Sequence, residues 1–140
     1  MSTQAEAKPI PHPTPDEQPY WDGAEVGFLR LQHCAACKKP RHYPQLVCPY
    51  CYSCECEWVD ATGRGTVHSW TVAHHAFHPA FKDELPYTLV TVDLAEGPRA
   101  LGRLDPSAQA ELRIGLPVRV TFPRNAEGTS LPVFLLDDDA

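Results

Sequence analysis

Two short cysteine pairs constrain this chain more than anything else in it. They are Cys34-Ala35-Ala36-Cys37 and Cys48-Pro49-Tyr50-Cys51, with residues 38 to 47 between them. A Cys-x-x-Cys turn aims two thiolates at one point, and a second turn opposite completes a tetrahedron. Zinc takes four thiolates in a closed structural site. The separation is shorter than in commoner four-cysteine spacings, yet long enough for a hairpin that folds one turn over the other. The expected site is a structural zinc on Cys34, Cys37, Cys48 and Cys51. A closed site leaves no position for water or substrate, so its metal should hold the fold and not catalyse. The binding energy then becomes folding energy for a segment with little core of its own.

Cys54 and Cys56 extend the run. Cys48, Cys51 and Cys54 also read as Cys-x-x-Cys-x-x-Cys, a pattern that suggests an iron–sulfur cluster. The bacterial ferredoxin run places a fourth cysteine three residues later, followed by proline. Here Cys56 comes after one residue and Glu57 follows it. The preferred reading is two ordinary thiols beside the zinc site.

The totals bound the rest. A chain of 140 residues holds one or two small units. No apolar run reaches transmembrane length, and no charged-then-apolar signal opens the chain, so no membrane association is expected. Six cysteines in a secreted chain would suggest disulfides. Metal-type spacing fits a reducing cytoplasm instead. The formal net charge of −6 argues against nucleic acid as the main partner, because such binding relies on a basic surface.

Residues 1–19 hold Pro9, Pro11, Pro13, Pro15 and Pro19, and almost no apolar content beyond Ile10. Proline removes amide donors and disfavours helix in the residue before it. An extended arm is expected, disordered alone, either a plain tail or a segment that lies on a partner. Residues 20–60 form the next unit. Tyr20, Trp21, Phe28, Leu29 and Leu31 predict a short helix, kept short by Gly23 and Gly27, and then a first ribbon strand. No Asp or Glu occurs from Val26 to Cys54, whereas Arg30, Lys38, Lys39 and Arg41 do. Four thiolates outweigh a divalent zinc, so nearby cations compensate the centre. The sharper alternative is a basic patch for a phosphate-bearing ligand or an acidic partner. Glu57 to Gly65 reads as a connector. The glycines of Gly63-Arg64-Gly65 lack the third glycine of a dinucleotide fingerprint and precede a strand, so a turn between units is expected.

Residues 61–140 change to a strand-like texture. Strands are predicted over Thr66–His75, Tyr87–Leu94, Arg99–Leu104, Val118–Phe122 and Leu131–Leu136. Ser107–Leu112 permits a helical turn or two, capped by Asp105 or Ser107. Five short strands with one short helix before the fourth make the inventory of an OB-type barrel. The fold class is therefore mainly β, a zinc unit followed by a five-stranded OB-fold barrel, ending in an acidic tail at Asp137–Asp139.

In this order the motifs resemble the DUF35 family, which joins a rubredoxin-like zinc ribbon to an OB-fold. The resemblance rests on Tyr20-Trp21, Leu31-Gln32-His33-Cys34-Ala35-Ala36-Cys37, and Tyr43-Pro44 with Cys48-Pro49-Tyr50-Cys51. It continues through Gly63-Arg64-Gly65-Thr66-Val67, Ser69-Trp70-Thr71-Val72 and Pro86-Tyr87. It closes on Ile114-Gly115-Leu116-Pro117-Val118 and Leu131-Pro132-Val133-Phe134. The proline arm, Cys54 and Cys56 lie outside it. The resemblance implies an accessory subunit without catalytic residues of its own. Such a subunit binds and stabilises a thiolase-superfamily enzyme in a hetero-oligomer: a thiolase, an acyltransferase or a thiolase-like aldolase acting on acyl-CoA. Some members act with acyl-CoA hydratases. It implies possible contact with acyl-CoA and none with nucleic acid.

His74-His75-Ala76-Phe77-His78, with His68 nearby, is the richest remaining candidate for chemistry. His74 and His75 face opposite sides of a strand, so they do not share an ion without a bend. A loop beside a partner's channel, or plain surface, is their expected place. The alternative from another class is a nucleic-acid-binding module, since zinc ribbons and OB-folds both serve that role. It requires a basic groove with exposed aromatics. In the barrel half, Lys82, Arg99, Arg103, Arg113, Arg119 and Arg124 are outnumbered by Asp and Glu.

Overall fold

Tyr87–Leu94 alternates buried and part-buried residues without a break, which is what a strand with one face on a core must do. It is the middle of the fold. In a computed structural model, which describes residues 6–139, the elements run as follows. Helix α1 is Gln18–Glu25. The strands are β1 Arg30–Cys34, β2 Pro40–Arg41, β3 Cys56–Asp60, β4 Arg64–Ala73, β5 Tyr87–Leu94, β6 Arg99–Leu104, β7 Pro117–Thr121 and β8 Val133–Leu136. Two 3-10 helices span Pro79–Glu84 and Pro106–Glu111.

β2, β1 and β3 make a three-stranded sheet, and β4-β5-β6-β8-β7 close into a barrel. This is the expected ribbon and five-stranded OB-fold. β5 and β6 keep the predicted bounds. β4 begins at Arg64 and ends at Ala73, with a bulge between Val67 and Ser69. β8 starts at Val133, and Ser107–Leu112 becomes a 3-10 helix capped by Asp105, whose carboxylate accepts from Ser107 N–H. Val67, Val90, Val92, Leu104, Val118 and Phe134 fill the barrel, each at most 3% exposed. Gly102 makes room for the largest of them, because a Cβ there would lie 2.8 Å from the Phe134 ring.

Two expectations need correction. The stretch opening at Glu57 is not a plain connector: β3 pairs with β1 over its whole length, from Arg30↔Asp60 to Cys34↔Cys56. Its residues are mostly exposed, so no burial pattern marked it. Tyr20, Ala24, Leu29 and Leu31 of the ribbon half join the barrel residues in one continuous cluster. The arm, over the residues described, is not free. Lys8 N–H donates to Glu127 at 3.1 Å, and Lys8 Nζ pairs with Glu84 at 2.9 Å and lies over the Phe81 ring. The arm's first five residues lie outside the described residues. Burial pushes the Glu84 carboxyl up, but hydrogen bonds from Lys8 and Arg103 win and hold it below the usual carboxylate range.

α1 begins at Gln18, two residues before Tyr20, with Pro19 in its first turn. It ends where Gly27 takes a φ of +90°. Gly23 does more than shorten it: a Cβ there would meet the Arg30 Cβ at 2.8 Å, so glycine lets β1 cross close to the helix.

Candidate metal centre and its surroundings

The two knuckles are near copies of each other. Lys38 N–H donates to Cys34 C=O at 3.0 Å, and Tyr52 N–H to Cys48 C=O at 2.9 Å. Cys34 N–H returns to Lys39 C=O and Cys48 N–H to Ser53 C=O. The residue after each second cysteine, Lys38 and Tyr52, has a φ of +64°. Each chain therefore turns back sharply after presenting its second thiol. The left-handed region costs an ordinary residue about 1–2 kcal/mol. We expect Lys38→Gly and Tyr52→Gly each to stabilise the protein by roughly 0.5–1 kcal/mol, net of glycine's freedom in the unfolded chain. A thermal melt of each variant checks this, as an unchanged or lowered midpoint in both would contradict the strain argument.

The knuckles meet face to face. The four Sγ atoms of Cys34, Cys37, Cys48 and Cys51 all lie within 4.8 Å of one another. Cys34 to Cys51 is 3.5 Å and Cys37 to Cys48 is 3.7 Å. Four sulfurs at about 2.3 Å from a zinc stand roughly 3.8 Å apart, so the arrangement fits the ion. Cys37 N–H donates to Cys34 Sγ, and this bond first, against burial, pulls the Cys34 thiol down to about 6. Burial pushes Cys48 up, but N–H groups of Tyr50 and Cys51 overcome it and lower the thiol. Ser53 N–H favours the Cys51 thiolate, yet the neighbouring thiols outweigh it and push Cys51 up to about 11. Charge is thus shared unevenly among thiols this close, and a divalent cation relieves the crowding by replacing protons. When bound, zinc supplies structural cross-linking of the two knuckles.

Cys54 and Cys56 stand apart from this group. Cys54 is exposed. Cys56 sits on β3 opposite Cys34, and its Sγ accepts from Gln32 Nε2 at 3.3 Å. Gln32 is also the hub of a clamp that the sequence did not reveal. Its Oε1 accepts from Arg41 Nε at 2.6 Å and from Gln45 N–H at 2.9 Å, while Arg41 Nη2 donates to Gln45 C=O. The clamp ties the first hairpin to the loop that delivers the second knuckle. A Gln–Arg pair at facing strand positions was the only available signal.

The four cations do not form one patch. Arg30 pairs with Asp60 at 2.7 Å and Lys38 with Glu57 at 3.5 Å. Lys39 covers the Tyr50 ring, and Arg41 is buried in the clamp. The histidines also separate. His68 Nδ1 lies 3.1 Å from Asp93, the His75 ring packs edge-on against Phe77, and His78 Nδ1 accepts from Ala80 N–H. Among the described residues the four cysteines are the one group arranged to hold a metal. His74→Ala and His75→Ala are therefore expected to leave zinc content unchanged by elemental analysis, and loss of metal in either would mean that the cysteines are not the whole site.

Comparisons with known proteins agree with this architecture. Two family models match: the ChsH2 rubredoxin-like zinc ribbon domain over residues 21–53, and the ChsH2 C-terminal OB-fold domain over residues 58–123. A probable enoyl-CoA hydratase alpha subunit of Thermomonospora curvata is 39% identical over 127 residues, 91% of this chain and 39% of that protein. The 3-oxo-4,17-pregnadiene-20-carboxyl-CoA hydratase alpha subunit of Mycobacterium tuberculosis is 36% identical over 103 residues, 74% of this chain. The chain spans 39% and 32% of the lengths of these two relatives. A solved structure described as an Ltp2-ChsH2(DUF35) aldolase superposes with a TM-score of 0.79 at 39% identity, covering 89% of this chain and 97% of that one. No helix among the described residues is long and apolar enough to cross a membrane.

Proposed function

The chain belongs to the DUF35 family, as a ChsH2-type zinc ribbon joined to an OB-fold, and on that premise we propose that it is a non-catalytic accessory subunit. It binds and stabilises a thiolase-superfamily enzyme that acts on acyl-CoA, in a hetero-oligomer of the cytoplasm. The observation that carries this is the match along 97% of a chain whose structure is described as an Ltp2-ChsH2(DUF35) aldolase. The relatives' hydratase names fit acyl-CoA chemistry. In this reading residues 20–60 and 61–140 are the two working units. Cys34, Cys37, Cys48 and Cys51 are the zinc ligands, and the closed site serves the fold.

Contact with the coenzyme portion of the substrate is the finer part of the proposal. A cleft of about 590 Å³ between ribbon and barrel is lined by Lys39 and Arg99, with Glu96 beside them, and these two cations are the charges a phosphate would meet there. Nucleic acid is not a partner in this reading: Arg30 and Lys38 are engaged by carboxylates, and the chain's net charge is −6.

The test is capture of the tagged chain from its own host, with mass spectrometry and metal analysis of the eluate. A thiolase-superfamily chain in stoichiometric amount, with about one zinc per accessory subunit, is expected. Nucleic acid released by salt, or no enzyme subunit at all, would overturn the proposal.

A further inference from the structure

The β4–β5 hairpin outruns the barrel. β4 has ten residues, but β7 pairs with it only at Arg64, Gly65 and Thr66. The last bonds on that side join Val67 to Gly115 and Leu116. From Ser69 to Ala73, β5 holds one edge, and the other makes no backbone hydrogen bond among the described residues. Exposed edges in natural sheets are guarded by charge, proline or bulges. Ser69-Trp70-Thr71-Val72-Ala73 has no charge and no proline, and the bulge precedes it. Trp70 and Val72 are both exposed on it.

The overhang leads into a loop with an aromatic tip. Phe77 is 95% exposed, the most exposed large apolar side chain among the described residues. The foot of the loop is pinned by the His78 cap and by Glu84, which holds Arg103 at 2.8 Å and Lys8 at 2.9 Å. From Gly65 to Phe81 there is no Asp, Glu, Lys or Arg, in a chain with 30 such residues (12 + 18). Depletion of charge with enrichment of aromatics marks the centre of a protein interface, and anchored aromatics dominate its energy.

We propose that this face is where the partner enzyme subunit docks, adding an extended segment of its own to the open edge at Ser69–Ala73 and receiving Phe77 in an apolar pocket. The inference rests on the accessory-subunit reading. An open strand edge offers a row of donors and acceptors that an added strand matches along its whole length. The absence of Lys and Arg from Gly65 to Phe81 makes this face a poor seat for a phosphate chain.

The test uses the full chain and the thiolase-superfamily subunit identified by capture, expressed alone. Affinity is measured for the wild type, Phe77→Ala, Thr71→Pro and, as a control on another exposed apolar residue, Ile114→Ala. Hydrogen exchange is followed with and without the enzyme subunit. Phe77→Ala should keep its zinc and its melting point and bind roughly tenfold or more weakly. Thr71→Pro should weaken binding too, and the amides of residues 69–73 should exchange more slowly in the complex. Wild-type affinity in Phe77→Ala with no added protection at 69–73 would overturn the inference. So would protection that grows with the concentration of the chain alone, which would assign the edge to a second copy. Failure of the wild type to bind any enzyme subunit would remove the accessory-subunit reading itself.

Discussion

Cys34→Ser is expected to unfold the ribbon and lower the stability of the whole chain. Cys34 is fully buried, at the crossing of the first knuckle and β1, with β3 on its far side. Beyond the clamp of Gln32, Arg41 and Gln45, little else holds this unit closed. β2 has two residues, and no regular element occurs between Arg41 and Cys56. Structural zinc contributes apparent binding free energies of about 10–16 kcal/mol in small fingers, comparable with the roughly 5–15 kcal/mol that stabilise a whole domain. Losing one thiolate from a closed tetrahedron therefore removes most of what opposes unfolding of residues 34–55. Because Leu29 and Leu31 share a core with the barrel, the barrel should melt earlier as well. Elemental analysis and a thermal melt check this together, and removal of zinc by a chelator should reproduce the effect. Cys56→Ser is the internal comparison: Cys56 lies outside the group of four and should keep the metal. A metal-free Cys34→Ser protein melting like the wild type would refute the structural role.

The second large effect is expected at Gly65→Ala. Gly65 lies in β4 against β5, opposite Leu94. A Cβ at this position would lie 2.4 Å from the Asp93 carbonyl oxygen and 2.6 Å from Val92 Cγ1. The first contact is with backbone, so no rotamer change relieves it. β4 must move away from β5 at the point where it also pairs with β7, which opens the barrel seam. Overpacking of this kind costs about 1–3 kcal/mol and more when backbone must shift. We expect a loss of roughly 2–4 kcal/mol and a fall in melting temperature of about 10 °C, with zinc content unchanged. A melt within a degree or so of the wild type would show that the seam adapts. The Gly63-Arg64-Gly65 stretch is thus only half a turn: Gly63 supplies the positive φ, and Gly65 the close approach of strands.

What the sequence revealed was mostly local chemistry. The cysteine spacing marked the cluster of four sulfurs because each pair is set within one four-residue turn. Tyr87–Leu94 and Arg99–Leu104 were legible to the residue because each buries one face. β3 was not legible, because it pairs by backbone to β1 and buries little. The seat of the arm was hidden for a different reason. Its contacts come from Glu84 and Glu127, far along the chain, and a proline-rich segment carries no period that would announce them. Arg30, Lys38, Lys39 and Arg41 read as cations compensating the thiolates, with a basic patch as the alternative, because they are close in sequence. In space each has a different partner.

The account turns on the claim that this chain works through another protein. The direct measurement is turnover of an acyl-CoA substrate by the captured enzyme subunit, assayed alone, with this chain added, and with this chain by itself. The account predicts full activity and a raised melting temperature only for the mixture, and no turnover by this chain alone. Equal activity and equal melting of the enzyme subunit with and without the chain would contradict it, as would turnover by the isolated chain.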